Sequence, residues 1–433
     1  MTNSMADDLR FSAAADKLHG CYPQKQTGLF MLRIKIPGGR ISLPQWRIIA
    51  QAQKTFSPGT PVHLTTRQDI ELHNLHPDDI IKVQRSLIDA GLLFYGSGGD
   101  ALRNITVCSG CGLCAQSFDV FDISAAVEKF SQSLPASANL PRKFKISFSG
   151  CRENCARPYL NDIGFIAVSQ NQFDVIVAGS LGPIPETGIK AYEKLPIENV
   201  FALCKAAIEM FSELGERENR RKARLRHLRQ KLGDEIFLQQ LDQRFRLALK
   251  SELPKINPLS QNNSQIKLQH RLNIPDGDIT AQQILLLADI CEANETESRI
   301  NFEHGIELYG SSKIELPQVL RYFENEPLVI ACQGARTCPY GLINTQDAAS
   351  IIKKTLSINN SKIRVNVSGC PNNCAHSSAA AFGLVGMKRD GKEYALVYIG
   401  GGDGKNAALA QKREIIEVTK ITSENFKLAE PSR

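Results

Sequence analysis

The strongest constraint on this chain is that it repeats itself. Residues 33–41 read RIKIPGGRI and residues 271–279 read RLNIPDGDI. A stretch with helical spacing follows each, PQWRIIAQAQ in the first case and AQQILLLADI in the second. Then come strand-like segments, VHLTTRQDIELH at 62–73 and RINFEHGIELY at 299–309, in which Ile70, Glu71 and Leu72 fall on Ile306, Glu307 and Leu308. Cys108 and Cys114 have the same spacing as Cys332 and Cys338, and Cys151 and Cys155 the same spacing as Cys370 and Cys374. After each second pair the chain reads GFIAV (164–168) or GLVGM (383–387) and enters an apolar strand ending in glycines. Landmarks recurring in one order define two homologous halves, roughly 20–250 and 265–420. Each half reads as strand–helix–strand units feeding a cysteine-bearing segment, an α+β arrangement with mixed sheets. Two equivalent halves imply a pseudo-twofold axis, and the interface between them is a natural place for a large cofactor.

The cysteines say what kind of cofactor. There are twelve, and nine fall in the two repeated clusters. The N-terminus has no apolar core like that of a signal peptide, so a cytoplasmic protein with reduced thiols is expected rather than one with structural disulfides. Cys21, Cys204 and Cys291 stand alone and read as buried apolar fillers. In the second half, C-x5-C at 332–338 and C-x3-C at 370–374 supply four soft, anionic donors that can hold a [4Fe–4S] cluster. Zinc is the main competitor: C-x3-C falls within its usual spacing, but C-x5-C does not. In the first half CSGCGLC begins like a ferredoxin run, but position 118 is Phe and 119 is Asp where that run needs Cys and Pro. The reading left is Cys108 with Cys114 and Cys151 with Cys155, Cys111 being surplus.

Other classes are disfavoured. At 433 residues, 42% apolar and 22% charged, the chain is an ordinary soluble protein of several domains. It has no apolar run long enough to span a membrane. The net charge of +7 suits an anionic cofactor or an acidic partner. The charged stretch at 215–237 reads as a solvated amphipathic helix, and no interleaved aromatics suggest nucleic acid. GGGDGK at 400–405 lacks dinucleotide spacing, so electrons must come from a separate protein.

Around the first cysteines lie Arg33, Arg67, Arg103, Lys143 and Lys145, in the strings MLRIKIPGG, HLTTRQ, LRNITVC and LPRKFK. With the paired cysteine motifs and the doubled architecture, these strings resemble the siroheme nitrite and sulfite reductases, from about residue 27 to 402. The resemblance implies ferredoxin-like half-domains at 20–95 and 265–322, and siroheme/cluster units at 96–250 and 323–420. It implies that Cys332, Cys338, Cys370 and Cys374 hold a [4Fe–4S] cluster, that Cys374 bridges to the siroheme iron, and that Arg67 contacts a siroheme carboxylate. Arg33, Arg103, Lys143 and Lys145 match the catalytic, substrate-contacting cations. The chemistry agrees: siroheme carries eight carboxylates and the substrate is an oxyanion, so arginine forks and proton-donating lysines suit both. Crowding should lower the lysine pKa values.

The equivalent positions in the second half are Arg271, Glu303, Pro327, Lys362 and Arg364, a set that looks degraded, so one siroheme is expected. Cys108, Cys114, Cys151 and Cys155 remain candidates for a second cluster. Lys145, where nitrite-reducing relatives tend to carry Asn, points to six-electron reduction of sulfite to sulfide. Glu71, where sulfite-reducing relatives often carry Gln, leaves the subtype open, as do the first-half cysteines. The alternatives are reduction of nitrite to ammonia, a precorrin-3B synthase-like reaction, and a non-catalytic iron–sulfur electron-transfer subunit. The implied donor is a ferredoxin or a flavoprotein, and a basic surface would attract an acidic ferredoxin.

Overall fold

Phe30, Leu32 and Ile34 enter the core from the strand Phe30–Ile34, while Arg33 leaves on the other face. That alternation sets the first sheet of a computed structural model describing residues 16–261, 265–358 and 363–427. Its antiparallel order is Cys21–Pro23, Phe30–Ile34, Ile70–Leu75, Val62–Leu64. The counterpart sheet runs Lys267–Asn273, Gly305–Gly310, Glu297–Ile300. Each sheet is completed from the opposite half: Asp278–Ile279 pairs with Val62 and His63, and Arg40–Ile41 pairs with Ser298 and Arg299.

The segment 62–73 is not one strand, as its composition suggests, but two strands joined by a tight turn. Gln68 sits in the turn at φ 62°, and His304 holds the equivalent place at φ 59°. The turn is pinned by the buried Gln68 amide, which donates to Val107 O (2.8 Å) and Ile300 O (2.9 Å) and accepts from Val107 N–H (3.0 Å). Arg67 is thereby presented at the hairpin tip.

The helices Leu43–Phe56 and Ala281–Ala293 follow the repeated loops. Both begin with a capping box, Ser42 with Gln45 and Thr280 with Gln283. They pack against each other across the two halves, with Arg47 pairing to Asp289 and, at 2.7 Å, to Glu292. Trp46 is fully buried and donates from Nε1 to Ser298 Oγ (2.9 Å). One hydrophobic core therefore runs through both half-domains.

The cysteine-bearing units are also built alike. In the first, Thr106–Val107, Ile146–Ser149 and Ile163–Ser169 are parallel, followed by antiparallel Gln172–Val177 and Ile189–Pro196. In the second, Val329–Ala331, Val365–Ser368 and Phe382–Arg389 are parallel, followed by antiparallel Lys392–Ile399 and Gln411–Glu417. The central strands Ile146–Ser149 and Val365–Ser368 are buried throughout, as parallel strands covered on both faces must be. Cys108, Cys151, Cys332 and Cys370 all lie at the carboxyl ends of parallel strands, where open α/β sheets place ligands. The helices Phe121–Ser133, Val200–Leu214 and Asp234–Ala248 pack with the first sheet's core, and Thr345–Ile358 belongs to the second.

Cys21, Cys204 and Cys291 are fully buried, as fillers should be. The polar connection at 251–265 holds to the first half where it is described: Leu259 N–H donates to Gln170 O (2.8 Å) and Leu259 packs into that core. Residues 1–15, which carry most of the sequence weighed as a signal peptide, and Lys362 lie outside the described residues. Among the described residues no helix is long and apolar enough to cross a membrane.

Candidate active site

Four thiols of the second half gather at the strand ends. Cys332 follows Val329–Ala331 and Cys370 follows Val365–Ser368; Cys338 ends the short helix Gly334–Thr337, and Cys374 closes the second loop. Gly369 N–H donates to Cys332 Sγ (3.1 Å), and a Cβ at Gly369 would sit 2.7 Å from Gly334 Cα, so the close approach needs glycine. Backbone N–H groups also reach Cys338 and Cys370. Burial first, then the neighbouring thiols, raises Cys332, and the same causes push Cys370 up to about 11. Raised thiols such as Cys332, Cys338 and Cys370 need a cation to become thiolates. Among the described residues no three His, Cys, Asp or Glu side chains converge tightly enough for a single metal ion. A cubane, whose irons each take one thiolate, suits this wider set better than zinc.

Cations from the first half face this centre. Thr66 Oγ1 donates to Cys374 O (2.8 Å), tying the hairpin tip to the fourth cysteine. Arg67, next in sequence, donates to Asn161 Oδ1 (3.1 Å) and Ile146 O (3.4 Å). Lys143 and Lys145 flank the fully buried Phe144, so their amines leave the same face of the chain. Phe144 O accepts from Arg103 N–H (2.9 Å), which brings Arg103 alongside. Burial, then Arg224 and Arg103, pulls Lys143 down to about 7, with Cys374 opposing. Burial, then Arg67, Lys143 and Arg224, pushes Lys145 well below the usual lysine value, again against Cys374. Arg67, Arg103 and Arg224 each bury an Nε that has no acceptor. Crowded, half-satisfied cations beside thiols are what an anionic cofactor would complete, and the lining fits a polycarboxylate.

Arg33 is placed differently. Its Nε and Nη2 donate to Glu71 Oε1 at 2.8 and 2.6 Å, and Nη1 donates to Ser97 O (3.1 Å). Arg103 Nη1 shares that Ser97 carbonyl (2.6 Å), and its Nη2 donates to Gly99 O (2.7 Å). Burial would raise the Glu71 carboxyl, but Arg33 and the His73 hydrogen bond outweigh it and hold Glu71 well below the usual carboxylate range. The charge of Arg33 is thus already matched by the protein.

The charged stretch at 215–237 is not simply a solvated face: Arg224, Arg226 and Arg229 are buried. Leu225 and Leu228 pack into the core and carry the arginines in with them. Arg224 pairs with Asp162 (2.7 Å) and joins the lysines, while Arg226 buries Nε and Nη1 without acceptors. The signal was the alternation of Arg224, Leu225 and Arg226.

The counterpart in the second half neutralises itself. Arg364, at the place of Lys145, pairs with Glu303, at the place of Arg67 (2.7 Å), and with Asp403 (3.0 Å). Arg157 binds the other Asp403 oxygen (2.9 Å), and Arg271 pairs with Glu307 (2.9 Å) as Arg33 does with Glu71.

Strand-end thiols set against a cationic lining define an iron–sulfur oxidoreductase whose centre meets an anionic cofactor. A family model described as the nitrite and sulphite reductase 4Fe-4S domain matches residues 98–249 and 328–427, and one for the nitrite/sulfite reductase ferredoxin-like half domain matches 22–90. The chain belongs to the siroheme and [4Fe–4S] nitrite/sulfite reductase family, with siroheme and a [4Fe–4S] cluster as its cofactors. A protein of Leptolyngbya laminosa named ferredoxin–nitrite reductase is 29% identical over 421 residues, 88% of this chain and 82% of that protein. The chloroplastic ferredoxin–nitrite reductase of Spinacia oleracea is 27% identical over 88% of this chain and 71% of its own length. The assimilatory ferredoxin-dependent nitrite reductase of Haloferax mediterranei is 26% identical over 90% and 76%. The solved structure of Mycobacterium tuberculosis NirA shares the two-half fold, with a TM-score of 0.77 over 94% of this chain and 84% of that one at 22% identity.

These relatives overturn sulfite as the expected substrate, since proteins aligned along nearly the whole chain are named for nitrite. The physical fault lay in counting cations without their surroundings: Glu71 cancels Arg33, and burial, then Arg67, Lys143 and Arg224, pushes the Lys145 amine below the usual lysine range.

Proposed function

We propose that this protein reduces nitrite to ammonia with six electrons from a ferredoxin-type donor. The observation that carries the proposal is that Lys143 and Lys145 of the first half lie within the field of Cys374 of the second, in a lining whose net charge is trimmed by Glu71. Nitrite is a monoanion, and it needs less positive charge than sulfite. The names of the relatives support both the substrate and the donor.

Cys332, Cys338, Cys370 and Cys374 would hold the cluster, with Cys374 the thiolate shared with siroheme. Arg67 and Arg224 would carry siroheme carboxylates. When bound, siroheme and its cluster supply a site for the nitrogen and electrons one at a time. The chain supplies protons and field. Lys143 and Lys145, whose amines burial and the crowded cations depress until an anion is bound, would be the proton donors to the departing oxygens. Each nitrite oxygen leaves as water, so a donor amine within reach lowers the barrier to both departures. Arg103 holds the anion in place, and Arg33, locked on Glu71, keeps the wall rigid. The units carrying these parts are assigned as 20–95, 96–250, 265–322 and 323–420, working in the cytoplasm, where the thiols stay reduced.

The test is steady-state turnover of nitrite and of sulfite by the siroheme-loaded protein with reduced methyl viologen and with reduced ferredoxin. Ammonium formation with a much larger kcat/KM for nitrite is expected. Turnover of neither anion by fully loaded protein would refute the proposal.

A further inference from the structure

The first-half cysteines are assembled as fully as those of the second. Cys108 and Cys151 leave the ends of parallel strands just as Cys332 and Cys370 do. Gly150 N–H donates to Cys108 Sγ at 3.2 Å, the counterpart of the 3.1 Å bond from Gly369 to Cys332. A Cβ at Gly150 would lie 2.4 Å from Phe118 O, so only glycine permits this approach as well. The two loops close on one another: a Cβ at Gly110 would lie 2.4 Å from Cys114 Sγ, and one at Gly150 would lie 2.9 Å from Cys111 Cβ. The surroundings repeat too. Glu307 bears on Cys114 as Glu71 bears on Cys338. Arg299, from the opposite half, pairs with Glu297 (2.9 Å) and donates to Ser109 O (2.7 Å) and Cys111 O (2.9 Å), which holds the first cysteine loop in place.

What differs is the space where a second tetrapyrrole would lie. The Glu303–Arg364–Asp403–Arg157 chain of ion pairs fills it with opposite charges that satisfy each other. Arg157 also touches His376 and leaves little exposed surface. Breaking these pairs to admit carboxylates would strand buried charge.

We propose that Cys108, Cys114, Cys151 and Cys155 hold a second [4Fe–4S] cluster that has no siroheme of its own. It sits on the far side of the pseudo-twofold axis from the catalytic centre. Its chemistry is one-electron exchange: a reduced ferredoxin-class donor loses one electron and the cluster gains it, with no bond made or broken. Cys111 is not needed as a ligand; it is buried against Cys108, and its counterpart is Ala335.

The experiment is iron and acid-labile sulfide analysis of the anaerobically purified, reconstituted full chain, alongside its siroheme content. About eight non-haem irons per siroheme are expected, where one cluster would give about four. Cys151→Ser with Cys155→Ser should halve the non-haem iron while the siroheme absorption band stays; Cys108 is avoided because Cys111 could replace it. About four irons in the wild-type protein, or an unchanged count in the double variant, would overturn the assignment. This result is separate from the proposed reaction: about eight irons with no nitrite turnover would leave the second cluster standing and remove the function.

Discussion

Arg157 and His376 occupy the same position in the two repeats and touch each other. Both adopt left-handed backbone, at φ 57° and 61°, immediately before a short 3-10 turn. Their contact marks the pseudo-twofold axis, and on its two sides the equivalent positions diverge. On one side Arg67 and Lys145 repel and await an anion; on the other Glu303 and Arg364 attract and need none. One exchange of sign, Arg67 for Glu303, separates the two sides of a symmetric frame.

Removing a ligand of the catalytic centre should abolish activity rather than tune it. Cys370→Ala is expected to lose the cluster coupled to siroheme, and nitrite turnover should fall by at least about 100-fold, more than loss of a group that only hydrogen-bonds a ligand produces. Non-haem iron and the siroheme band, measured on the same preparation, separate this from unfolding.

Lys143 gives a pH prediction. Its folded value is about 7 against 10.5 for an ordinary lysine. In the cofactor-free protein the unfolded state therefore binds the extra proton between those values, so stability rises with pH across that window. An amine-directed reagent should label Lys143 at pH 8 far faster than a surface lysine. Siroheme carboxylates raise the amine again, so loaded protein should be protected; equal labelling with and without cofactor would contradict this. Peptide mapping reads both.

The Arg33–Glu71 pair should behave as a buried ion pair. Glu71→Gln leaves Arg33 uncompensated and is expected to cost about 3 kcal/mol. Adding Arg33→Gln should recover part of that loss. Thermal unfolding of the two single variants and the double variant gives the coupling.

Trp46 joins the halves through packing and its bond to Ser298. Trp46→Ala should cost about 3–5 kcal/mol, and Trp46→Phe clearly less. Chemical denaturation checks both.

Much of this was legible in the sequence because the repeat repeats chemistry. Cysteine spacing and the strings around Arg67, Arg103 and Lys143 could be read directly, and two copies of each landmark guarded against coincidence. The burial of Arg224 and Arg226 was not legible, since a run of arginines looks solvated until Leu225 and Leu228 are known to face the core. The break at Gln68 was hidden because its turn is held by a side chain bonding to distant backbone rather than by glycine or proline. The substrate was misread from Lys145 because residue identity does not give the environment of a charge; burial and the cations Arg67, Lys143 and Arg224 set it.

The short strands Arg40–Ile41 and Asp278–Ile279 each finish the other half's sheet. Each half, cut free, would lose the strand that covers one edge of its sheet. Two polypeptides severed between 261 and 265 should therefore reassemble when made together, and neither should stay soluble when made alone.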